Sequence, residues 1–542
     1  MKVFSLLILF LYLFYGSQAQ NPVISDPIKR ALDGVKPDQI KADITYLAND
    51  KLKGRLPGSE GYKMAMDYVI KRMEAMGVKP AGEHGTWVQT VRLKRSFILN
   101  PKITFQSFSG EMIQPSTKPN DFIIYPNPME SHSVLPLSDL VFAGFGISEP
   151  ELGFDDYSGL DVKGKVVLIL RGAPESFSSS VKAHSMNYGH LVKVAGEHGA
   201  IGIIIGNPDS TDKTVPDLSH GVYNALVEKG NMVVSRTFSS SVHFFGYLNF
   251  EAFQNLFKNK SISMIYQELK KEHFQSFPLG MKVGADFNSR TEDILGYNLV
   301  GKIEGSDPVL NQEYIVHSAH LDHLGIRNPP ILGDSIYNGA HDNASGVASL
   351  LAIAGIYHQI PIKPKRSVLL VIVTGEELGL LGSSYFAHKP TVPLKSLVAD
   401  VNTDMPTIIA PLLSVTALGA EHSSLANEVD WAAKILDLGV EPDPEPKEAR
   451  FTRSDQYSFV SMGIPALHIK YGNRTPDGKN NLNEKVALWR AQYYHKPQDD
   501  INGIFDFEAG KKYAQLNFLI GYKIAQSPNK PVWNKGDIFE KY

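Results

Sequence analysis

Three apolar runs in the second half of the chain end in ionisable side chains, and this constrains the fold more than any other feature. Tyr314 to Ser318 leads into His320-Leu321-Asp322, Ser367 to Val373 into Thr374-Gly375-Glu376-Glu377, and a run from Val398 into Asn402-Thr403-Asp404. Between the first two lies a helical pattern, Ala344 to Tyr357, with Val347, Leu350, Leu351 and Ile353 on its apolar face. Alternation of this kind argues for an α/β architecture with a mixed, largely parallel sheet flanked by helices. Ligands of such sheets gather outside the carboxyl ends of the strands, where these ionisable residues fall.

Their types limit the chemistry. His320 and Asp322, two apart in extended chain, point to one side, so that one can bind a metal while the other orients it. Asp342 precedes the helix and could bridge two cations. Glu376 and Glu377 form a carboxylate pair that is costly to group after a buried strand without a cation or a proton. One of them could bind metal while the other faces substrate as a general base; alternatively both favour the N-terminus of a following helix. Asp404 and His495 complete a set of nitrogen and oxygen donors, His320, Asp342, Glu377, Asp404 and His495, that suits two zinc ions sharing one carboxylate. His323 and His341 read as caps or surface residues beside the set.

The composition narrows the remaining choices. With no cysteine in 542 residues, thiol catalysis and thiolate ligation are excluded. A formal net charge of −3 and the lack of a long Lys/Arg run give no electrostatic basis for nucleic-acid binding. Residues 1–19 combine Lys2, an apolar run and the ending Ser17-Gln18-Ala19, the pattern of a cleaved export signal. No later stretch is long and apolar enough for a transmembrane segment in the mature chain, so an exported, periplasmic or extracellular location is expected.

The first half has a different texture. Pro37 to Asn49 carries Ile40, Ile44 and Leu47 at helical spacing, and a longer helix is expected from about Ser59 to Met76, with Met64, Tyr68, Met73 and Met76 as packing residues. The turn between them, Asp50 to Gly61, reads equally as a cleft border or a simple helix-start loop. From about Leu140, short β-branched runs with glycine punctuation predict a compact α+β module. Its Asp155-Asp156 pair reads as a solvated loop rather than a cation site. Gly144-Phe145-Gly146 lacks the third glycine of a dinucleotide fingerprint.

The pieces AHLDHLG, NGAHDNASGVA, TGEELGLLGS, VNTDM, RSDQYSFVSMGIPAL and YYHKPQDD together resemble the successive motifs of the M28 family of zinc aminopeptidases. The subgroup is the one with a protease-associated insertion, which the stretch from Phe154 to Val166 is similar to. The resemblance implies a zinc exopeptidase-like fold divided into a leader (1–19), an N-terminal part of the peptidase domain (20–125), an inserted protease-associated domain (126–280) and the zinc peptidase domain (281–542). It implies two Zn2+, one held by His320, Asp342 and Asp404 and the other by Asp342, Glu377 and His495. Glu376 would be the general base, Asp322 the partner of His320, and Tyr494 either a donor to the oxyanion or a packed aromatic. One departure stands out: Ser454-Asp455-Gln456 replaces the usual Ser-Asp-His, which bears on specificity.

The function implied is an exported di-zinc aminopeptidase acting on peptide substrates. A carboxypeptidase or dipeptidase on the same scaffold is the alternative, in which an arginine such as Arg453 would meet a substrate carboxylate. A non-catalytic, receptor-like relative is expected to lose ligands, and no ligand position is lost here. No Gly-x-Ser-x-Gly elbow supports a serine hydrolase.

Overall fold

The computed structural model describes residues 24–113, 121–212, 214–228, 232–257, 260–273, 275–331 and 333–541. The expected leader lies outside these residues. No helix among the described residues is long and apolar enough to cross a membrane.

After a short helix over Asp26–Asp33 comes α1 (Pro37–Leu47), whose Ile40, Ile44 and Leu47 are buried as their spacing predicts. The turn that follows is tightly seated: Gly54 has a φ of +67°, and a Cβ there would meet the Tyr337 carbonyl oxygen at 2.4 Å. Helix α2 (Glu60–Ala75) starts where the Ser59 hydroxyl accepts from the Tyr62 amide, an N-cap that satisfies an otherwise orphaned donor. Met73 is fully buried, while Met64, Tyr68 and Met76 pack on the margin of the core.

Strand β1 (Val88–Ser107) then leads outward to the module seen in the sequence. There β2 (Phe122–Ile124), β3 (His132–Phe142), β4 (Val166–Leu170), α3 (Ser179–Ser185), α4 (Tyr188–Glu197), β5 (Gly202–Gly206) and β6 (Phe244–Leu248) follow in order. Strands β3, β4, β5 and β6 are parallel neighbours, and β2 pairs antiparallel with β6. Because helices and neighbouring strands cover both faces, β4, β5 and β6 are buried along their whole length and read as unbroken apolar runs.

The chain returns along β7 (Phe277–Ile303), which is antiparallel to β1 over nearly its full length, from Met281 opposite Ser107 to Leu299 opposite Val88. This ribbon joins the two halves, since the start of β7 also pairs with β3 and its end with a second group of strands. That second sheet contains β8 (Tyr314–His320), followed by α5 (Ser345–Gln359), β9 (Ser367–Val373), β10 (Leu397–Asn402), β11 (Ser414–Leu418) and β12 (Ala466–Tyr471). The parallel centre runs β9, β8, β10, β12, with β7 antiparallel at one side and β11 at the other. Helices α5 and α6 (Phe507–Gln526) cover one face, where Tyr357 and Phe518 meet edge to face at 4.7 Å between ring centres. Burying each such side chain contributes about 1.5–3 kcal/mol. The architecture is the mixed, mostly parallel sheet with flanking helices and an inserted second module that the sequence predicts.

One expectation changes in the inserted module. Asp155 is exposed, but Asp156 is buried and its Oδ2 accepts the Phe145 amide at 2.9 Å and the Ile147 amide at 3.1 Å. The pair is therefore neither a solvated loop nor a cation site: one acid locks the Gly144–Ile147 turn while the other faces water. Burial pushes Asp156 up to about 7 despite those two donors.

Candidate metal centre

Strand β8 delivers His320 at its carboxyl end, fully buried. Its Nε2 lies 3.3 Å from Asp342 Oδ1 and 3.3 Å from Asp404 Oδ1. Asp404 follows β10, and Asp342 lies in the turn before α5, so the gathering is a direct result of the parallel sheet. On the other side of Asp342, its Oδ2 stands 3.1 Å from His495 Nε2, which is also 3.2 Å from Glu377 Oε2. All five donors expected from the sequence thus converge, with Asp342 between two groups.

Donors on a tetrahedral zinc with bonds near 2.0–2.2 Å stand about 3.3–3.6 Å apart, so these spacings fit a cation in each group. Carboxylates buried this densely also need counter-charge. In the protein alone the imidazoles supply it. Burial opposes the charge on His495, but its contacts with Asp342 and Glu377 outweigh burial and lift it to about 10. His320 is raised in the same way by Glu376, Asp342 and Asp404 against its burial. Asp342, despite burial, is held well below the usual carboxylate range by His320 and His495. Glu376 shifts the opposite way: burial, with Glu377, Asp404 and Asp455 close by, pushes it well above that range.

The groups around this centre differ in part from the expectation. Asp322 does not bond His320 through its carboxylate, which is 3.9 Å from Nδ1; the nearer atom is its main-chain oxygen, at 3.2 Å. The carboxylate instead accepts the Glu376 and Glu377 amides at 3.2 and 3.3 Å, fixing the turn that presents both acids. That turn is not a helix start, because the next helix begins at Leu381. His323, expected as a bystander, has its Nδ1 2.6 Å from Glu377 Oε1 and belongs to a group with Asp342 and Glu377 that could hold a metal. His341 does lie aside, stacked on Phe505 with its Nε2 on the Ile504 carbonyl. Tyr494 stacks on His495 with 3.9 Å between ring centres, which places its phenol ring at the edge of the group.

Three positioning residues escaped sequence reasoning. Asp499 accepts the His341 amide at 2.9 Å and the Asp342 amide at 3.1 Å, holding the backbone of the shared carboxylate. Lys470 donates to the Asp404 and Met405 carbonyls, and burial pushes it down to about 7. Arg55, in the glycine-rich turn, is buried and donates to the carbonyls of Leu47, Leu321, Asn338 and Gly339, tying the N-terminal turn to both loops that carry His320 and Asp342. Asp499 lies four residues after His495, a signal that was available. The Arg55 contacts, by contrast, involve carbonyls that have no residue-type signature.

Gln456, the departure from the usual triplet, points inward: its Nε2 donates to the Phe451 carbonyl at 2.7 Å and its Oε1 accepts from Asn402 at 2.8 Å. Arg453 is half exposed and pairs with Glu448. Beside the centre lies a cleft of about 550 Å³ whose lining includes Arg95, Tyr223, Arg236, His323, Arg327 and Glu377. Arg236 and Tyr223 come from the inserted module, so that module forms one wall.

Residues 298–516 match the model of peptidase family M28, and residues 136–233 match that of the PA domain. Among curated proteins, the mouse (Mus musculus) "Aminopeptidase NAALADL1" is 30% identical over 135 residues, 24% of this chain and 16% of that protein. A "Probable zinc metalloprotease" of Pyrenophora teres f. teres is 25% identical over 276 residues, 43% of this chain and 52% of that protein. The chain thus spans about half or less of the length of these relatives. A solved aminopeptidase from Aneurinibacillus sp. strain AM-1 shares 18% identity over 92% of this chain and 95% of its own, with a TM-score of 0.48. Residues 298–516 are thus identified as a peptidase family M28 region, preceded in the chain by a PA domain match over 136–233.

Proposed function

We infer that this protein is an exported di-zinc aminopeptidase that releases residues from the N-termini of peptides. The observation that carries the reading is the shared carboxylate: Asp342 faces His320 and Asp404 on one side and His495 and Glu377 on the other, at donor spacings of 3.1–3.3 Å. His320, Asp342 and Asp404 would hold one zinc, and Asp342, Glu377 and His495 the other. Bound there, two zinc ions would supply Lewis acidity that polarises a peptide carbonyl and makes water a better nucleophile.

The chain's own residues do the rest. Glu376, whose amide is held by the Asp322 carboxylate beside the centre, is the candidate to take a proton and hold it until the amine leaves. Asp322 fixes the Glu376 and Glu377 amides, and Asp499 fixes that of Asp342, so the acids need not reorganise during reaction. Tyr494, packed on His495, is a candidate donor to a developing oxyanion. The pattern of residues 1–19 supports export.

A carboxypeptidase or dipeptidase is the second reading, favoured by Arg95, Arg236 and Arg327 in the cleft wall, which suit a substrate carboxylate. The test is a metal assay on the purified chain joined to a panel of free and N-acylated aminoacyl substrates, with Glu376→Gln as control. Two metals per chain, cleavage of free N-termini and loss of turnover in the variant are expected. A metal-free chain, or full activity of Glu376→Gln, defeats the mechanism. Cleavage of N-acylated substrates alone moves the assignment to the second reading.

A further inference from the structure

The inserted module contains a second group of metal-type donors, well outside the centre described above. Glu149, which follows the Gly144–Ile147 turn, is completely buried, and its Oε1 faces His190 Nε2 at 3.3 Å and His184 Nε2 at 3.7 Å. His184 comes from α3 and His190 from α4, with 4.0 Å between ring centres. One donor atom from each residue lies within 4.8 Å of the others.

Two features mark this as more than a buried ion pair. Charge-assisted N–H···O contacts close to about 2.7–2.9 Å, and both imidazole-to-carboxylate distances exceed that. They span instead the separation of about 3.3–3.6 Å expected between ligands of one tetrahedral zinc, and the shorter equals the His320 spacings to Asp342 and Asp404. One imidazole is also oriented from outside, as ligating histidines are: His184 Nδ1 meets the Tyr457 hydroxyl at 2.7 Å, with Nε2 toward Glu149. The two Glu149 oxygens divide their roles, with Oε2 turned to Lys541 and Oε1 to the histidines. His184 and His190 further line a cavity of about 520 Å³ between the inserted module and residues 379–388 and 457–462.

We propose that Glu149, His184 and His190 form a site for a single divalent first-row cation of the zinc type. Because His184 contacts Tyr457 and Glu149 contacts Lys541, the cation would fix the orientation of the side chains through which the inserted module meets the rest of the chain. The proposal is independent of the catalytic reading: no residue is shared between the two groups.

The test uses the full chain, stripped with chelator and reloaded with Zn2+ or Co2+. Wild type, His190→Ala and Glu149→Gln are compared, each also on a His320→Ala/Asp342→Ala background that removes the carboxylate common to both groups of the other centre. Each Glu149 or His190 substitution is expected to remove one equivalent of metal. The double-alanine background is expected to retain that equivalent, with the visible d–d absorption of tetrahedral Co2+, and to melt at higher temperature with Zn2+ than without. A background protein that binds no metal and shows no Co2+ band overturns the proposal. So does an equivalent that survives both Glu149→Gln and His190→Ala. Near-ultraviolet circular dichroism on each variant identifies a misfolded one, and the Co2+ spectrum of the unsubstituted background then decides.

Discussion

The two buried groups share donor spacing but not charge, and the difference separates what geometry and electrostatics each determine. Around Asp342 the acids outnumber the imidazoles: Asp342, Asp404, Glu376 and Glu377 meet His320, His323 and His495. Around Glu149 one acid meets His184, His190 and the Lys541 ammonium. Spacing of 3.1–3.7 Å admits a cation in either place. The carboxylate excess argues for two cations in the first group, since uncompensated buried charge is prohibitive, whereas in the second Lys541 already offsets Glu149 and a cation there rests on donor geometry.

The largest effect that could break this contrast concerns Glu376, the acid of the first group that is not proposed as a ligand. Glu376→Gln should lower kcat by about 10²- to 10⁴-fold, the usual contribution of a general base, while metal content stays at the wild-type value. Loss of metal in this variant would make Glu376 a ligand and change the charge count on which the comparison rests.

Next comes the anchoring of the loops. Arg55→Met leaves four buried carbonyls without their donor, and each orphan costs about 1–3 kcal/mol. Urea denaturation should show destabilisation of several kcal/mol, and a change under about 1 kcal/mol would mean that the turn does not hold the centre.

Much of the first group was legible in the sequence. His320, Glu377 and Asp404 follow apolar strands and Asp342 precedes an apolar helix, so local pattern placed each at the carboxyl edge of the sheet. What stayed hidden depends on distant backbone. Asp322 follows its strand as expected, yet its carboxylate serves the amides of Glu376 and Glu377, which residue types do not disclose. Gln456 reads as an altered pocket residue but packs into a buried amide pair with Asn402. Glu149, His184 and His190 meet only because a turn and two short helices converge, and neither spacing nor periodicity signals it.

The inserted module offers a smaller test of buried charge without any metal. Asp156 titrates near 7 in the folded protein and near 4 when unfolded, so between those values the folded state binds the proton more tightly. Its contribution to stability is therefore fully present at low pH and is lost as pH rises from about 4 to about 7. Relative to wild type, Asp156→Asn should gain in melting temperature across that window, and a constant difference would contradict the assignment.

The smallest effect expected is at Lys541, whose ammonium lies against Glu149 Oε2. Lys541→Gln removes a positive charge beside the proposed cation and should tighten Zn2+ binding there by up to about tenfold, or 1.4 kcal/mol. Weaker binding in a calorimetric titration would show that Lys541 supports the site rather than competes with it.

The most direct test of the shared carboxylate is anomalous diffraction at the zinc edge from crystals of the Zn2+-loaded chain. Two peaks about 3.5–4 Å apart on either side of Asp342 are predicted. A single peak, or a pair not bridged by Asp342, would contradict the account.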